Sequence, residues 1–132
     1  MRAIDKIILH CSDSDNAKHD DVSIINQWHK EKGWNSCGYH YFIKKNGELQ
    51  TGRFEDKIGA HCKRHNSTSI GVCLSGKTAF TEQQYDTAVL LVKNIMERYK
   101  LTEKDIYCHY QFDSCVLTLK LIYLKANYEM VK

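Results

Sequence analysis

Short runs of branched apolar residues, each bounded by polar ones, mark the buried strands predicted for this chain. Residues 6–10 and Ser69–Leu74 have the length and composition of strands that are covered on both faces. Residues 105–109 predict a last strand. The chain contains no proline, so glycine and asparagine are the expected turn formers between these segments.

A hairpin is predicted around the dipeptide Asn46-Gly47, with residues 39–44 and 48–53 as its strands. Asn-Gly is the strongest two-residue hairpin signal, because both central positions of that turn need a positive φ. The hairpin makes the expected sheet mixed rather than purely parallel.

Two amphipathic helices and a closing helix are also predicted. The acidic pair 20–21 can cap the first helix, which is expected to stop at Gly33. Thr81 begins a capping box that opens the longest helix, and the apolar stripe of that helix predicts burial against the sheet. Residues 117–128 predict the closing helix. Strands alternating with helices predict a single α/β domain over residues 1–132, with a central mixed sheet flanked by helices.

Composition and charge narrow the class of protein. Apolar residues make up 42% and charged residues 27%, as in ordinary soluble globular domains. No apolar run approaches the roughly 18 residues of a membrane span, so no membrane partner is expected. The net charge of +3 mildly favours an anionic partner. The densest basic segment, residues 63–65, is too short for a nucleic-acid arm, so no nucleic-acid partner is expected. Residues 1–10 lack the apolar core of a signal peptide, which predicts a cytoplasmic protein.

Six cysteines admit two interpretations. An even number could form a disulfide framework in a secreted protein. Because no export signal is recognised, buried thiols together with one or two metal ligands are favoured. A disulfide-stapled secreted binding protein stays an alternative, and a count of thiols would test it.

Three candidate metal ligands stand at or just beyond predicted strand ends: His10, His109 and Cys115. Two imidazoles and a thiolate can hold a tetrahedral zinc ion (Zn2+) with a fourth position for water, whose pKa would fall to about 7. A closed structural site that also uses Cys11 and Cys108 is the competing interpretation. Those cysteines each adjoin a candidate histidine in a strand, so they should point to the opposite face. Spacing alone does not separate a catalytic site from a structural one.

Tyr39 and His40 are neighbours in a predicted strand, so their side chains are expected on opposite faces. A tyrosine facing a bound water could orient it or stabilise a developing oxyanion. The alternative is an interfacial aromatic residue with a solvated hydroxyl. His29 is expected to be solvated or to cap its helix, and His61 either lines a groove or lies on the surface.

Seven short motifs follow one another in a characteristic order. They are HCS at 10–12, INQWHKEKGW at 25–34, GYHYFI at 38–43, NG at 46–47, GR at 52–53, GAH at 59–61 and NSTSIGV at 66–72. Together they resemble the zinc N-acetylmuramoyl-L-alanine amidases of type 2, which include small phage lysozymes and the peptidoglycan recognition proteins. The resemblance runs over residues 6–109 and is nearest to the phage enzymes.

The resemblance implies a central mixed sheet with a zinc cleft on one face. It implies that His10 and His109 are zinc ligands and that Tyr39 is the catalytic tyrosine. The implied activity is zinc-dependent hydrolysis of the amide bond between N-acetylmuramic acid and L-alanine, as in a phage endolysin.

The same resemblance suggests a binding groove and a setting. Trp34, His61 and Asn66 would form a wall for the substrate, bacterial peptidoglycan. A phage-encoded enzyme would be made in the host cytoplasm and reach the wall after another protein permeabilises the membrane. A cytosolic amidase that trims recycled muropeptide fragments is an alternative, and a regulatory protein partner stays unidentified.

The third ligand departs from the family pattern. The family usually has a cysteine or aspartate farther beyond the second histidine, followed by proline. Here Cys115 is the candidate donor, Val116 takes the place of the proline, and Leu117, at the usual distance, cannot bind metal. Many phage relatives have a lysine just before this ligand, where Asp113 would oppose a developing oxyanion. These departures keep open a non-catalytic peptidoglycan-binding or regulatory module.

Overall fold

The computed structural model describes residues 2–33 and 37–108, and within them one mixed sheet forms the centre of the fold. Its strands are β1 Lys6–Cys11, β2 Tyr41–Ile43, β3 Leu49–Thr51, β4 Ser69–Leu74 and β5 Ile106–Cys108. They lie in the order β3-β2-β4-β1-β5. β1 pairs in parallel with β4 and β5, β2 pairs in parallel with β4, and β3 is antiparallel to β2. The expected α/β class with a mixed sheet is confirmed.

The first helix, α1, spans Val22–Glu31. It begins after Asp21, whose side chain accepts a hydrogen bond from the backbone N–H of Ser23 at 2.9 Å. It ends before Gly33, which has a φ of +89°. Both ends are therefore where the acidic pair and the glycine predict them.

The second helix, α2, spans Glu82–Tyr99 and opens with the predicted capping box of Thr81 and Gln84. The fully buried Gln84 does more than cap the helix. Its Oε1 accepts from the N–H of Thr81 at 2.9 Å, and its Nε2 donates to the carbonyls of Ile43 and Ser75 at 3.1 and 2.7 Å. One side chain thus joins the start of α2 to the ends of β2 and β4. The predicted helix over 117–128 lies outside the described residues.

Within the described residues, the sheet separates a larger and a smaller cluster of buried side chains. On one face, alternate residues of β1 and β4 pack against the apolar stripe of α2 in a cluster of thirteen buried residues. On the other face, the buried members that the described residues supply are Ile25 of α1, Cys37, Phe42 and Cys73. His10 follows Leu9 of the larger core, so strand alternation places it on the α1 face. His10 therefore lies on the same side of the sheet as the smaller cluster.

The hairpin differs from the prediction in its turn and in its length. Only Gly47 has a positive φ (+89°), whereas Asn46 does not. The N–H of Gly47 donates to the carbonyl of Lys44, and the N–H of Lys44 donates to the carbonyl of Glu48, both at 2.9 Å. Asn46 instead accepts a hydrogen bond from the N–H of Glu48 through its side chain. The two-residue turn was thus a wrong prediction, because a longer turn with one left-handed glycine fits these strands.

Four of the five cysteines among the described residues are not in disulfides. Cys11, Cys37, Cys62 and Cys73 are thiols, and Cys73 is fully buried, while Cys108 is disulfide-bonded. Among residues 2–33 and 37–108, no helix has the length and apolar character needed to cross a membrane.

Candidate functional site

Three predicted site residues converge at the carboxyl end of β1. The imidazole of His10 is 3% exposed, and its Nε2 lies 2.8 Å from Nδ1 of His61. The ring of Tyr39 is tilted against that of His10, with the centroids 4.9 Å apart, and its centroid lies 6.5 Å from that of His61. The strand end and two separate loops thus bring two imidazoles and a phenol together.

The ring of His61 lies directly on β4 because two glycines leave room for it. A Cβ at Gly71 would meet Cγ of His61 at 2.6 Å, and a Cβ at Gly59 would meet its Cδ2 at 2.6 Å. The far nitrogen of the ring, Nε2, lies 3.1 Å from Oγ of the fully buried Ser69. Sequence reasoning singled out neither Ser69 nor Gly71, although a glycine inside a strand is a signal of close approach.

Asn66 fixes the loop that carries His61. Its Oδ1 accepts hydrogen bonds from the backbone N–H groups of His61 and Cys62 at 2.8 and 2.9 Å. The Asn66 carbonyl also accepts from Arg2, at 3.1 Å. The described contacts of Asn66 therefore hold the loop in place, and its predicted role in substrate binding stays a prediction.

Tyr39 contacts two histidines, with its ring centroid 4.9 Å from that of His10 and 5.4 Å from that of His29. Burial raises the pKa of the Tyr39 hydroxyl well above its usual value, and the neighbouring thiols of Cys73 and Cys37 raise it further. The phenol therefore keeps its proton at neutral pH. It can donate a hydrogen bond but does not serve as a base.

His29 is buried, which corrects the expectation that it would be solvated or capping. It is 7% exposed, and its Nδ1 accepts a hydrogen bond from the N–H of Gly38 at 2.7 Å. Burial, together with the positive charges of Lys32 and Arg53, lowers its pKa to about 4. His29 is thus a neutral residue that ties α1 to the segment carrying Tyr39.

His40 is also structural. It is fully buried, its Nδ1 accepts from the N–H of Gly71 at 3.0 Å, and its Nε2 donates to the Lys57 carbonyl at 2.8 Å. Burial lowers its pKa. The rings of Tyr39 and His40 lie 6.5 and 5.8 Å from that of His61 between centroids, and the expectation that they face opposite sides of the sheet stays a prediction. The strand on which that expectation rested begins only at Tyr41.

The remaining candidates, Trp34, His109 and Cys115, lie outside the described residues. Within residues 2–33 and 37–108, no group of three His, Cys, Asp or Glu side chains is placed to hold a metal ion. The described part of the site therefore supplies one predicted zinc ligand, His10, and the full ligand set stays a prediction.

Comparison with known proteins identifies relatives of this chain. Residues 1–118 match the family model of N-acetylmuramoyl-L-alanine amidases. The chain is 38% identical over 104 residues to the endolysin of Escherichia phage T7, a match that covers 73% of this chain and 69% of that protein. It is 46% identical over 71 residues to the endolysin of Klebsiella phage KP32, covering 54% of this chain and 47% of the relative. The matched region thus spans about half of the KP32 protein.

Solved structures show the same fold. An N-acetylmuramoyl-L-alanine amidase from Clostridium intestinale superposes with a TM-score of 0.75 at 27% identity, covering 84% of this chain and 73% of that one. The Drosophila protein PGRP-LB superposes with a TM-score of 0.71 at 26% identity, covering 85% and 72%. With the fold, the family model and the identities in agreement, the chain belongs to the N-acetylmuramoyl-L-alanine amidase family.

Proposed function

We propose that this protein hydrolyses the amide bond between N-acetylmuramic acid and L-alanine in bacterial peptidoglycan, as a zinc-dependent phage endolysin. The observation that carries the proposal is the convergence of His10, Tyr39 and His61 at one strand end, in a chain of the amidase family. A hydrolase needs such a place, where a metal ligand and a hydrogen-bond donor can face one reacting bond.

The donors fit a zinc ion by their chemistry. His10 supplies a nearly buried imidazole at the end of a strand that both neighbouring strands hold in place. His109 and Cys115 would complete a set of two nitrogens and one sulfur, which is typical of catalytic zinc with an open position. A bound zinc ion would supply polarisation of the scissile carbonyl and a water of lowered pKa.

Tyr39 provides the hydrogen-bond donor of the reaction. Its hydroxyl is protonated and neighbours the buried thiol of Cys73. Turned to the substrate, it would stabilise negative charge on the carbonyl oxygen as water adds to the carbonyl carbon. The carbon–nitrogen bond then breaks, and the nitrogen of L-alanine takes up a proton. The sugar keeps a carboxylate on its lactyl group, and the stem peptide leaves with a new amino terminus. Trp34, His61 and Asn66 stay the candidate substrate wall.

The proposed setting follows from the phage relatives. The protein is made in the host cytoplasm and acts on the wall once the membrane has been permeabilised. Expression in a bacterial host with and without a separate membrane-permeabilising protein tests this. Lysis that needs no permeabilisation would contradict the setting.

A digestion of purified sacculi tests the activity. Because a ligand cysteine must be a thiolate, the protein is loaded with zinc under reducing conditions, and bound zinc and thiols are counted. We expect release of stem peptides that begin with L-alanine, loss of release on chelation and recovery on adding zinc back. Tyr39→Phe should lower the rate by about 10²–10³-fold, the usual cost of one oxyanion donor. Tyr85→Phe, a tyrosine on the α2 face, is the matched control.

The products also separate the alternatives. Binding to sacculi without release of peptides would support a non-catalytic module, which Asp113 and the shortened spacing to Cys115 favour. Preference for soluble anhydro-sugar fragments over sacculi would support a recycling amidase. Cleavage of the sugar chain would refute the amidase proposal.

A further inference from the structure

A line of three polar side chains runs from the predicted zinc ligand across the surface of β4. Nε2 of His10 contacts Nδ1 of His61 at 2.8 Å, and Nε2 of His61 contacts Oγ of Ser69 at 3.1 Å. Both ends of the line are buried, with His10 3% exposed and Ser69 fully covered. Such a line can hold protons in only a few arrangements.

The contact between the two imidazoles contains one proton, which belongs to one ring or the other. If His61 donates, then His10 accepts at Nε2, and its own proton sits on Nδ1. If His10 donates, its proton sits on Nε2, and its Nδ1 has the lone pair that a metal needs. A zinc ion at His10 is therefore compatible with this contact only in the second arrangement. In that arrangement His61 accepts at Nδ1 and donates from Nε2 to Ser69.

We propose that His61 and Ser69 are positioning residues that orient His10 for zinc through the relay His10 Nε2–H to His61 Nδ1 and His61 Nε2–H to Ser69 Oγ. The inference rests on the proposed function, because it assumes that His10 binds the metal, and it gives His61 a role besides lining a groove. Zinc-bound histidines commonly donate their second ring N–H to a partner, which fixes the tautomer and the ring orientation.

The packing around His61 suits such a role. Gly71 and Gly59 let the ring lie against the sheet, and Asn66 holds the backbone on which it is carried. The ring can therefore neither sink further nor swing away without breaking other contacts. A residue whose only role was to contact substrate would not need a fixed hydrogen bond to His10.

The relay ends in a hydroxyl and not in a carboxylate. A carboxylate partner would pull the proton from the imidazole and make the ligand more basic. Ser69 accepts the hydrogen bond without bringing a negative charge to the two histidines. The expected effect of the relay is therefore on the geometry of His10 and on zinc affinity more than on the charge at the metal.

Zinc affinity measured against a chromophoric chelator, on the full chain under reducing conditions, tests the proposal. His61→Phe keeps the ring volume but has no acceptor, and we expect zinc to bind about 10–100-fold more weakly. His61→Asn places an oxygen where Nδ1 stands, so it should recover most of the lost affinity. His65→Phe changes an exposed histidine of the same loop and should leave affinity unchanged.

Nuclear magnetic resonance of the histidine rings gives a readout independent of activity. In the zinc-loaded parent, the Nε2 proton of His10 should be protected from exchange with water, and Ser69→Ala and His61→Phe should progressively remove that protection. The proposal is overturned if His61→Phe binds zinc as tightly as the parent, or if zinc occupies Nε2 of His10. If the parent binds no zinc, the metal requirement of the proposed function is overturned as well. If the parent binds zinc and is active, and His61→Phe binds zinc equally tightly, the relay alone is overturned.

Discussion

Gly71→Ala would place a methyl group beneath the ring of His61, and its effect can be worked out from the structure. The new carbon would meet Cγ, Cδ2 and Nδ1 of His61 at 2.6, 2.7 and 2.8 Å. Ordinary carbon contacts are about 3.5–4.0 Å, so the ring would have to withdraw by roughly 1 Å. A shift of that size would break the 2.8 Å contact with His10.

The change in the free energy of unfolding combines two opposing effects. Forcing an extra carbon into a packed site costs about 1–3 kcal/mol. Replacing glycine where alanine can adopt the backbone conformation stabilises by about 0.4–1 kcal/mol, and Gly71 lies in a strand without a positive φ. We therefore expect Gly71→Ala to destabilise the protein by about 1–2 kcal/mol.

A double-mutant cycle with His61→Ala isolates the steric term. Without the ring, the methyl group has space, and Gly71→Ala should become neutral or slightly stabilising. The coupling energy between the two substitutions should therefore be about 1–3 kcal/mol. Urea unfolding with a chelator present measures it without a contribution from bound zinc. Effects that add to within about 0.5 kcal/mol would refute the close contact.

Three further predictions concern other parts of the structure. A ring titration of His29 by nuclear magnetic resonance should give a pKa of about 4, and a pKa near 6.5 would contradict its burial. The zinc-free protein should lose stability as the pH falls from 6.5 towards 4, because only the unfolded chain binds the proton in that range. Burial alone would raise the pKa of Glu55, but hydrogen bonds from Arg98 and two tyrosines lower it to about 2. Glu55 should therefore stabilise the fold by about 2 kcal/mol above pH 4.5, a contribution lost as the pH falls to 2 and absent from Glu55→Gln in acid unfolding. Gln84→Met should lower the free energy of unfolding in urea by about 2–4 kcal/mol, because it removes the three hydrogen bonds of a buried side chain. The same substitution at the exposed Gln83 should leave the free energy of unfolding nearly unchanged.

Sequence patterns predicted the parts of the fold that local physics determines. The strand Ser69–Leu74 has the predicted bounds, and Thr81 begins the predicted capping box. The turn at Asn46-Gly47 could not be predicted as precisely, because its type depends on how the two strands twist against β4. The strands are also shorter than predicted: β2 begins at Tyr41, although the N–H of His40 still donates to the carbonyl of Gly71 at 2.9 Å.

Sequence could indicate site residues only where the residue type itself suggests a chemical role, such as a metal ligand or a hydrogen-bond donor. His10 and Tyr39 were found from the strand pattern and the family motifs, and the structure brings both together with His61. The burial of His29 could not be predicted, because it depends on a contact with the N–H of Gly38 that no periodicity encodes. The line from His61 to Ser69 likewise depends on a loop that folds back over β4.

The unequal packing of the two sheet faces has a consequence for how the molecule opens. Among residues 2–33 and 37–108, fewer apolar side chains are buried on the α1 face than on the α2 face, and individual hydrogen bonds hold it, such as His29 to Gly38 and Asn66 to its own loop. Amide exchange in residues 37–40 and 59–66 should therefore proceed through local opening, and the free energy of that opening should be lower than for exchange in α2.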